Sequence, residues 1–284
     1  MPRNAWEVGA RTQLRDHLVD DILEMILGYT RSLDLLPCGR FAFGEGGKER
    51  LRQARDMMVQ GEEVFVVSYM KLMVFGLHDG KYLRGNRKVR SHVYGEPARI
   101  CPFNDKKFLH MSSSIGVEVM DLGNLTTERE FYIPSSVDLA ACAARDLLFA
   151  AAERGPFMMM DLEGRVKFHL PRMNASSVTW LPDAGLLAIG KRSNVTSFFE
   201  PVNRTVVGET DGGGDMCIEA PGNQLVGVRR DKDEIRVFEI RKGQGQVTQM
   251  IRLHSQDIIS IDMAKQTNEL LVCRGQTDRI LVYI

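Results

Sequence analysis

A hydrophobic phrase returns six times along this chain, ending each time in a large aromatic or Met residue and usually an acidic one. The copies are Leu72–Gly76, Val117–Asp121, Phe157–Asp161, Thr196–Glu200, Ile235–Glu239 and Ile280–Ile284. Their large residues, Phe75, Met120, Met160, Phe199, Phe238 and Tyr283, are spaced 45, 40, 39, 39 and 45 apart. A near-constant period of that size marks a repeat architecture whose units are built from strands.

The unit over 175–210 reads as four antiparallel strands. Ser177–Trp180 alternates as a strand, and Pro182-Asp-Ala-Gly185 supplies turn chemistry. Leu186–Ile189 is a short apolar run, the mark of a strand covered on both faces. Val195–Phe199 is a third strand, and Thr205–Val207 follows the turn at Pro201–Arg204 as a fourth. The other units repeat the order, with first strands at Met57–Val59, Ala98–Phe103, Val137–Cys142, Met216–Glu219 and Ile258–Met263. Sheets this small cannot each make a core, but stacked radially they cover one another. The fold class is therefore all-β, a propeller of six four-stranded blades, or seven if residues 37–60 hold a partial one. The large residue of each phrase is expected between neighbouring sheets.

Two segments carry a family resemblance. Ser177-Val-Thr-Trp-Leu-Pro-Asp-Ala-Gly-Leu-Leu-Ala-Ile-Gly190 resembles the first two strands of a WD repeat, and His254–Ile261 resembles the segment that opens one. The resemblance to the WD-repeat propellers covers about residues 38–284. Pairs such as Phe238-Glu239 replace the Trp-Asp signature, which bears on the family's His-to-Asp hydrogen-bond network and not on the propeller. The last repeat ends after its third strand. Arg40–Phe43 is the expected fourth, closing the ring as propellers of this family commonly do. That divides the chain into a helical extension, 1–36, and the propeller, 37–284.

In the extension, Leu14, Leu18, Ile22, Met25, Ile26 and Tyr29 recur at helical spacing. The stripe either packs on the side or rim of the propeller or docks a partner, with Leu14, Leu18, Ile22 and Ile26 as the contact positions. Leu18–Leu27 with Ser32–Leu36 resembles the first part of an F-box, the adaptor-binding motif of ubiquitin-ligase receptors, although the Pro usual after the first Leu is missing.

Lys plus Arg and Asp plus Glu both number 37, so no global pull toward nucleic acid or anionic membrane exists. No segment approaches the roughly 18 apolar residues that span a bilayer. With no apolar run at the N-terminus, a cytoplasmic or nuclear protein with reduced cysteines is expected. No two of the six histidines have metal-ligand spacing, and no nucleophile elbow occurs. Asp211-Gly-Gly-Gly-Asp215 reads as a flexible link between repeats. No enzyme, cofactor or metal is expected.

One constellation stands out. The links between second and third strands carry Lys71; Arg154; Lys191 and Arg192; Arg229 and Arg230; and Arg274 in five of the six repeats. In a WD-type blade these links share one face around the channel mouth, where Arg side chains suit bidentate capture of carboxylate or phosphate. The expected function is a non-catalytic scaffold or adaptor in a multiprotein assembly, binding other proteins and possibly an acidic or phosphorylated peptide at this face. Alternatives are an F-box-like substrate receptor, an RNA-contacting subunit of a ribonucleoprotein, and a propeller hydrolase.

Overall fold

The computed structural model describes residues 37–42, 54–68, 71–86, 98–112, 116–133, 136–152, 155–171, 173–214, 216–229, 234–241, 243–252, 258–274 and 279–283. The amphipathic stripe and the F-box-like segment lie outside these residues. The chain begins its described part with β1 (Pro37–Ala42), and four-stranded antiparallel sheets follow in sequence order. Blade 1 comprises β2 (Ala54–Gln60), β3 (Glu63–Ser68), β4 (Leu72–Gly76) and β5 (Tyr82–Asn86). In blade 2 these places fall to β6 (Ala98–Asn104), β7 (Lys107–Ser112), β8 (Gly116–Asp121) and β9 (Thr127–Phe131). Blade 3 runs through β10 (Ser136–Cys142), β11 (Leu147–Ala152), β12 (Phe157–Asp161) and β13 (Val166–Leu170). Then come β14 (Ala175–Leu181), β15 (Leu186–Lys191), β16 (Val195–Glu200) and β17 (Thr205–Asp211) as blade 4. Blade 5 is β18 (Met216–Ala220), β19 (Gln224–Arg229), β20 (Glu234–Arg241) and β21 (Gln244–Arg252). The sixth sheet contains β22 (Ile258–Ala264), β23 (Glu269–Arg274), β24 (Arg279–Tyr283) and β1.

First strands contact one another in the cyclic order β2, β6, β10, β14, β18, β22 and back to β2. Six sheets therefore close into a ring around a central channel. Each first strand starts at the end of the ring where each second strand finishes, here the entry end. The opposite end, where first strands turn into second strands, is the hairpin end. Five of those hairpins turn on a residue in the left-handed region: Gly61, Asp146, Gly185, Asn223 and Asn268.

The buried side chains fall into six clusters, one at each junction between blades. Phe75 packs with Ala264, Leu271 and Cys273 of blade 6, Met120 with Phe65 and Val74 of blade 1, and Met160 with Leu109 and Val117 of blade 2. Phe199 meets Phe149 and Phe157 of blade 3, Phe238 meets Ala188 and Phe198 of blade 4, and Val226 with Ile235 faces Ile261 and Val272 across the junction of blades 5 and 6. The repeated large residue thus faces the preceding blade, and burying each stabilises its junction by about 1.5–3 kcal/mol.

Closure differs slightly in register from the sequence expectation. The strand starts at Pro37 rather than Arg40 and ends at Ala42, with Phe43 outside the described residues. Pro37 pairs with Tyr283 and Ala42 with Arg279. A Pro is tolerated there because it opens an edge strand, where its missing N–H costs no ladder bond. Removing residues 1–44 should leave β24 as an unpaired edge. A sharply lower melting temperature or aggregation is expected; a truncated chain as stable as the full one would refute closure by β1.

The glycine link between blades 4 and 5 is a correction. Far from being loose, Gly212, Gly213 and Gly214 are buried. Gly212 N–H donates to Asn194 O at 2.5 Å, its carbonyl accepts from Thr196 Oγ1 at 2.8 Å, and Gly213 lies in the left-handed region at φ 70°. A Cβ on Gly227 would stand 2.4 Å from Gly213 Cα, so these two backbones touch where any side chain would separate the blades. Gly227→Ala should destabilise by about 1–3 kcal/mol through overpacking, read as a drop in melting temperature. An unchanged melting temperature would show that the junction can open without cost.

Candidate functional site

The channel wall is made by the first strands, each of which has no sheet neighbour on its inner edge. Their inner N–H groups need partners, and side chains from neighbouring blades supply them by a repeating rule. Asp56, Asp138, Ser177 and Ser260 each follow a register break in their strand and stand opposite the penultimate residue of the second strand. Arg99 occupies the matching place in blade 2, opposite Met111. Ser260 Oγ accepts from Met57 N–H at 3.2 Å, Asp56 Oδ2 from Ile100 N–H at 2.9 Å, and Asp138 Oδ2 from Val178 N–H at 2.8 Å. Each acceptor therefore reaches the residue one past its equivalent in the next blade.

Other contacts complete the circuit. Arg99 Nε is 3.6 Å from Asp138 Oδ1, Ser177 Oγ lies 3.3 Å from Cys217 Sγ, and Lys265 pairs with Glu219 between blades 6 and 5. Ser260 Oγ also donates to Asp56 Oδ1 at 2.5 Å, and Asp262 Oδ2 accepts Val59 N–H at 2.5 Å. Every neighbouring pair of first strands is thereby bridged by a polar contact. Repeat alignment on the first strand, rather than on the third, would have shown this polar position in the sequence.

The enclosed cavity measures about 390 Å³ and changes character along its length. Asp56, Asp138 and Ser260 line it toward the entry end, while Phe103, Trp180 and Pro182 line it toward the hairpin end. Burial holds the Asp56 carboxyl above its ordinary range. Burial likewise raises Asp138 to about 6, against the lowering effect of Arg99, and Asp262 to about 7. Burial also pushes the Cys217 and Cys273 thiols up to about 12, which suits packing rather than nucleophilic chemistry. Among the described residues, no group of three or more His, Cys, Asp or Glu is placed to hold a metal ion.

The cationic positions singled out in the sequence share the entry end by topology, since β15, β19 and β23 finish at Lys191, Arg229 and Arg274. Lys71 lies just ahead of β4 at the same end, half-buried, and Arg192 is exposed beside Lys191. Arg154 and Arg230 fall outside the described residues, as does the side chain of Arg274. Lys191 does not turn to the channel. Its Nζ reaches Glu209 Oε1 on the outermost strand of its own blade at 2.6 Å, and that contact with Lys191 holds Glu209 below the usual carboxylate range.

The raised carboxyls fix a pH dependence. Asp262 holds its proton in the folded chain up to about pH 7, whereas the unfolded chain releases it near the model-compound value of about 4. The folded state then binds more protons between those values, so this group's contribution to stability is full below about pH 4 and is lost as pH rises toward 7. Asp262→Asn keeps an acceptor for Val59 N–H but cannot titrate. Its melting temperature relative to the natural chain should therefore rise between pH 5 and 8; a pH-independent difference would contradict the buried, protonated carboxyl.

No family model matches the sequence, and no curated protein matches it. Solved structures do match. A chain in the crystal structure of the mitotic checkpoint complex superposes with a TM-score of 0.66, at 11% identity over 90% of this chain and 93% of that one. The β-propeller domain of Cps50 (Swd1) from Myceliophteria thermophila superposes with a TM-score of 0.57, at 15% identity over 81% and 82%. None of the comparisons supports the F-box resemblance. What the two solved structures share with this chain is the fold, a WD-repeat-like β-propeller.

Proposed function

We propose that this chain is a non-catalytic scaffold within a protein assembly, and that its entry end takes an acidic or phosphorylated segment of a partner. The observation that carries the reading is one of register: second strands finish in, or lead into, Lys or Arg at one end of a closed ring. The propellers it resembles in fold include a chain of the mitotic checkpoint complex, a multiprotein assembly. Asp56, Asp138 and Asp262 make the lumen unattractive to an anion, so an acidic segment would lie across the mouth rather than enter it. Arg192 and Arg229 are the better-placed contacts, because Lys191 is held by Glu209.

Single exposed ion pairs contribute only about 0–1 kcal/mol, so binding would need several at once and would weaken with salt. The test uses a fluorescent peptide rich in Glu and phosphoserine, titrated with the full-length protein. Arg192→Glu with Arg229→Glu should abolish salt-sensitive binding at unchanged melting temperature. Lys106→Glu with Lys107→Glu, at the hairpin end, should leave it intact. Binding that survives the first pair, or that ignores salt, would overturn the reading.

A further inference from the structure

The outer rim of blade 1 carries two adjacent exposed apolar side chains at the hairpin end, Tyr82 at 50% and Leu83 at 49% exposure. They begin β5, the outermost strand of that blade. The next blade around the ring is blade 6, whose outermost strand is β1. Pro37 pairs with Tyr283 at the end of β24, so the chain enters β1 at the hairpin end, the level of Leu83. Residues preceding Pro37 thus arrive beside this patch.

Their sequence is suited to cover it. Leu14, Leu18, Ile22, Met25, Ile26 and Tyr29 form one apolar stripe, about 24 Å long as a helix. The seven residues between Tyr29 and Pro37 reach up to about 25 Å when extended, room enough to cross to the neighbouring blade. The patch also continues an existing interface. Tyr82 meets Phe75 edge to face at 5.9 Å, and Phe75 belongs to the cluster that joins blades 6 and 1. Charge agrees: the stripe's segment holds Asp16, Asp20, Asp21 and Glu24 against Arg15, while β5 and the residues after it supply Arg84, Arg87, Lys88 and Arg90. On the other flank of blade 6, β21 offers one exposed Val247 among glutamines, a poorer match.

We infer that residues 14–29 dock as a helix on the outer edge of blade 1, over Tyr82 and Leu83, and strap the junction where the ring is closed. This places the stripe on the chain's own propeller rather than on another protein, and it holds whether or not the entry end binds an acidic partner.

Hydrogen exchange of the full chain, read by mass spectrometry, tests it. Amides of residues 14–29 should be protected, and Leu83→Glu should speed their exchange by about tenfold or more, the scale of losing one buried Leu. Because Leu83 is half exposed, that variant should keep the exchange of β2–β4 unchanged, which reports that the ring is intact. Asp21→Lys should also speed exchange, and adding Lys88→Glu should restore protection. The inference is overturned if Leu83→Glu leaves residues 14–29 unaffected, if their protection grows with protein concentration (a second copy is the occupant), or if they are unprotected in the isolated chain.

Discussion

The inner edge of every first strand poses the same problem, and its solution shapes the rest of the fold. A channel wall made of strand edges leaves N–H groups without ladder partners, and an unpaired buried donor costs about 1–3 kcal/mol. Here the donor of one blade is satisfied by a side chain of its neighbour, as Val178 N–H is by Asp138 and Ile100 N–H by Asp56. The bond works only if adjacent blades hold a fixed angle and height. That angle in turn brings the large residue of each third strand against the preceding blade, Phe199 onto Phe157 at 5.3 Å among them. Polar bonding at the centre and apolar packing farther out thus impose one geometry on the same junction, so each makes the other less easily broken.

Blade 5 shows what happens where the rule lapses. Met216, opposite Val228, replaces the polar residue found at this position in the other blades, and the junction between blades 5 and 6 is bridged instead by Lys265 and Glu219. On its other side, blade 5 is held by backbone proximity. Gly212, Gly213 and Gly214 thread between the sheets, Ser176 Oγ donates to Gly214 O, and Thr210 Oγ1 on β17 donates to Gly245 O on β21 at 2.8 Å. Glycine is required there because the space between the backbones has no room for a Cβ, an arrangement of close approach rather than of flexibility.

Much of this was legible in the sequence, for reasons that differ element by element. Third strands announced themselves because each must bury one large residue at the same place, so Phe75, Met120 and Phe238 recur at a fixed period. Second strands were readable as short apolar runs because both of their faces are covered. The channel relay was not legible, because the register breaks before Asp56, Asp138, Ser177 and Ser260 disrupt strict alternation and hide their equivalence. The glycine link was misread because composition reports the freedom of a chain and not the space around it. The cationic positions were placed on one end correctly by strand order alone, yet nothing in the sequence near Lys191 foretold that Glu209, eighteen residues on, would draw it outward along the blade.

The two ends of the channel differ in chemistry because they differ in construction. At the hairpin end, tight turns leave short residues and exposed faces of ring-bearing side chains, as where Trp180 stacks on Phe149 at 5.9 Å and carries Arg145 at 5.6 Å from its ring centre. At the entry end, second strands finish and first strands begin, and the relay requires carboxylates and hydroxyls there. Those carboxylates are buried, which favours their neutral forms, while cations stand farther out on the links. A partner approaching the entry end meets the links' positive charge first and the lumen's carboxyls second. That order favours shallow capture of an anion over insertion, and it lets the ring stay closed and rigid while its mouth is occupied.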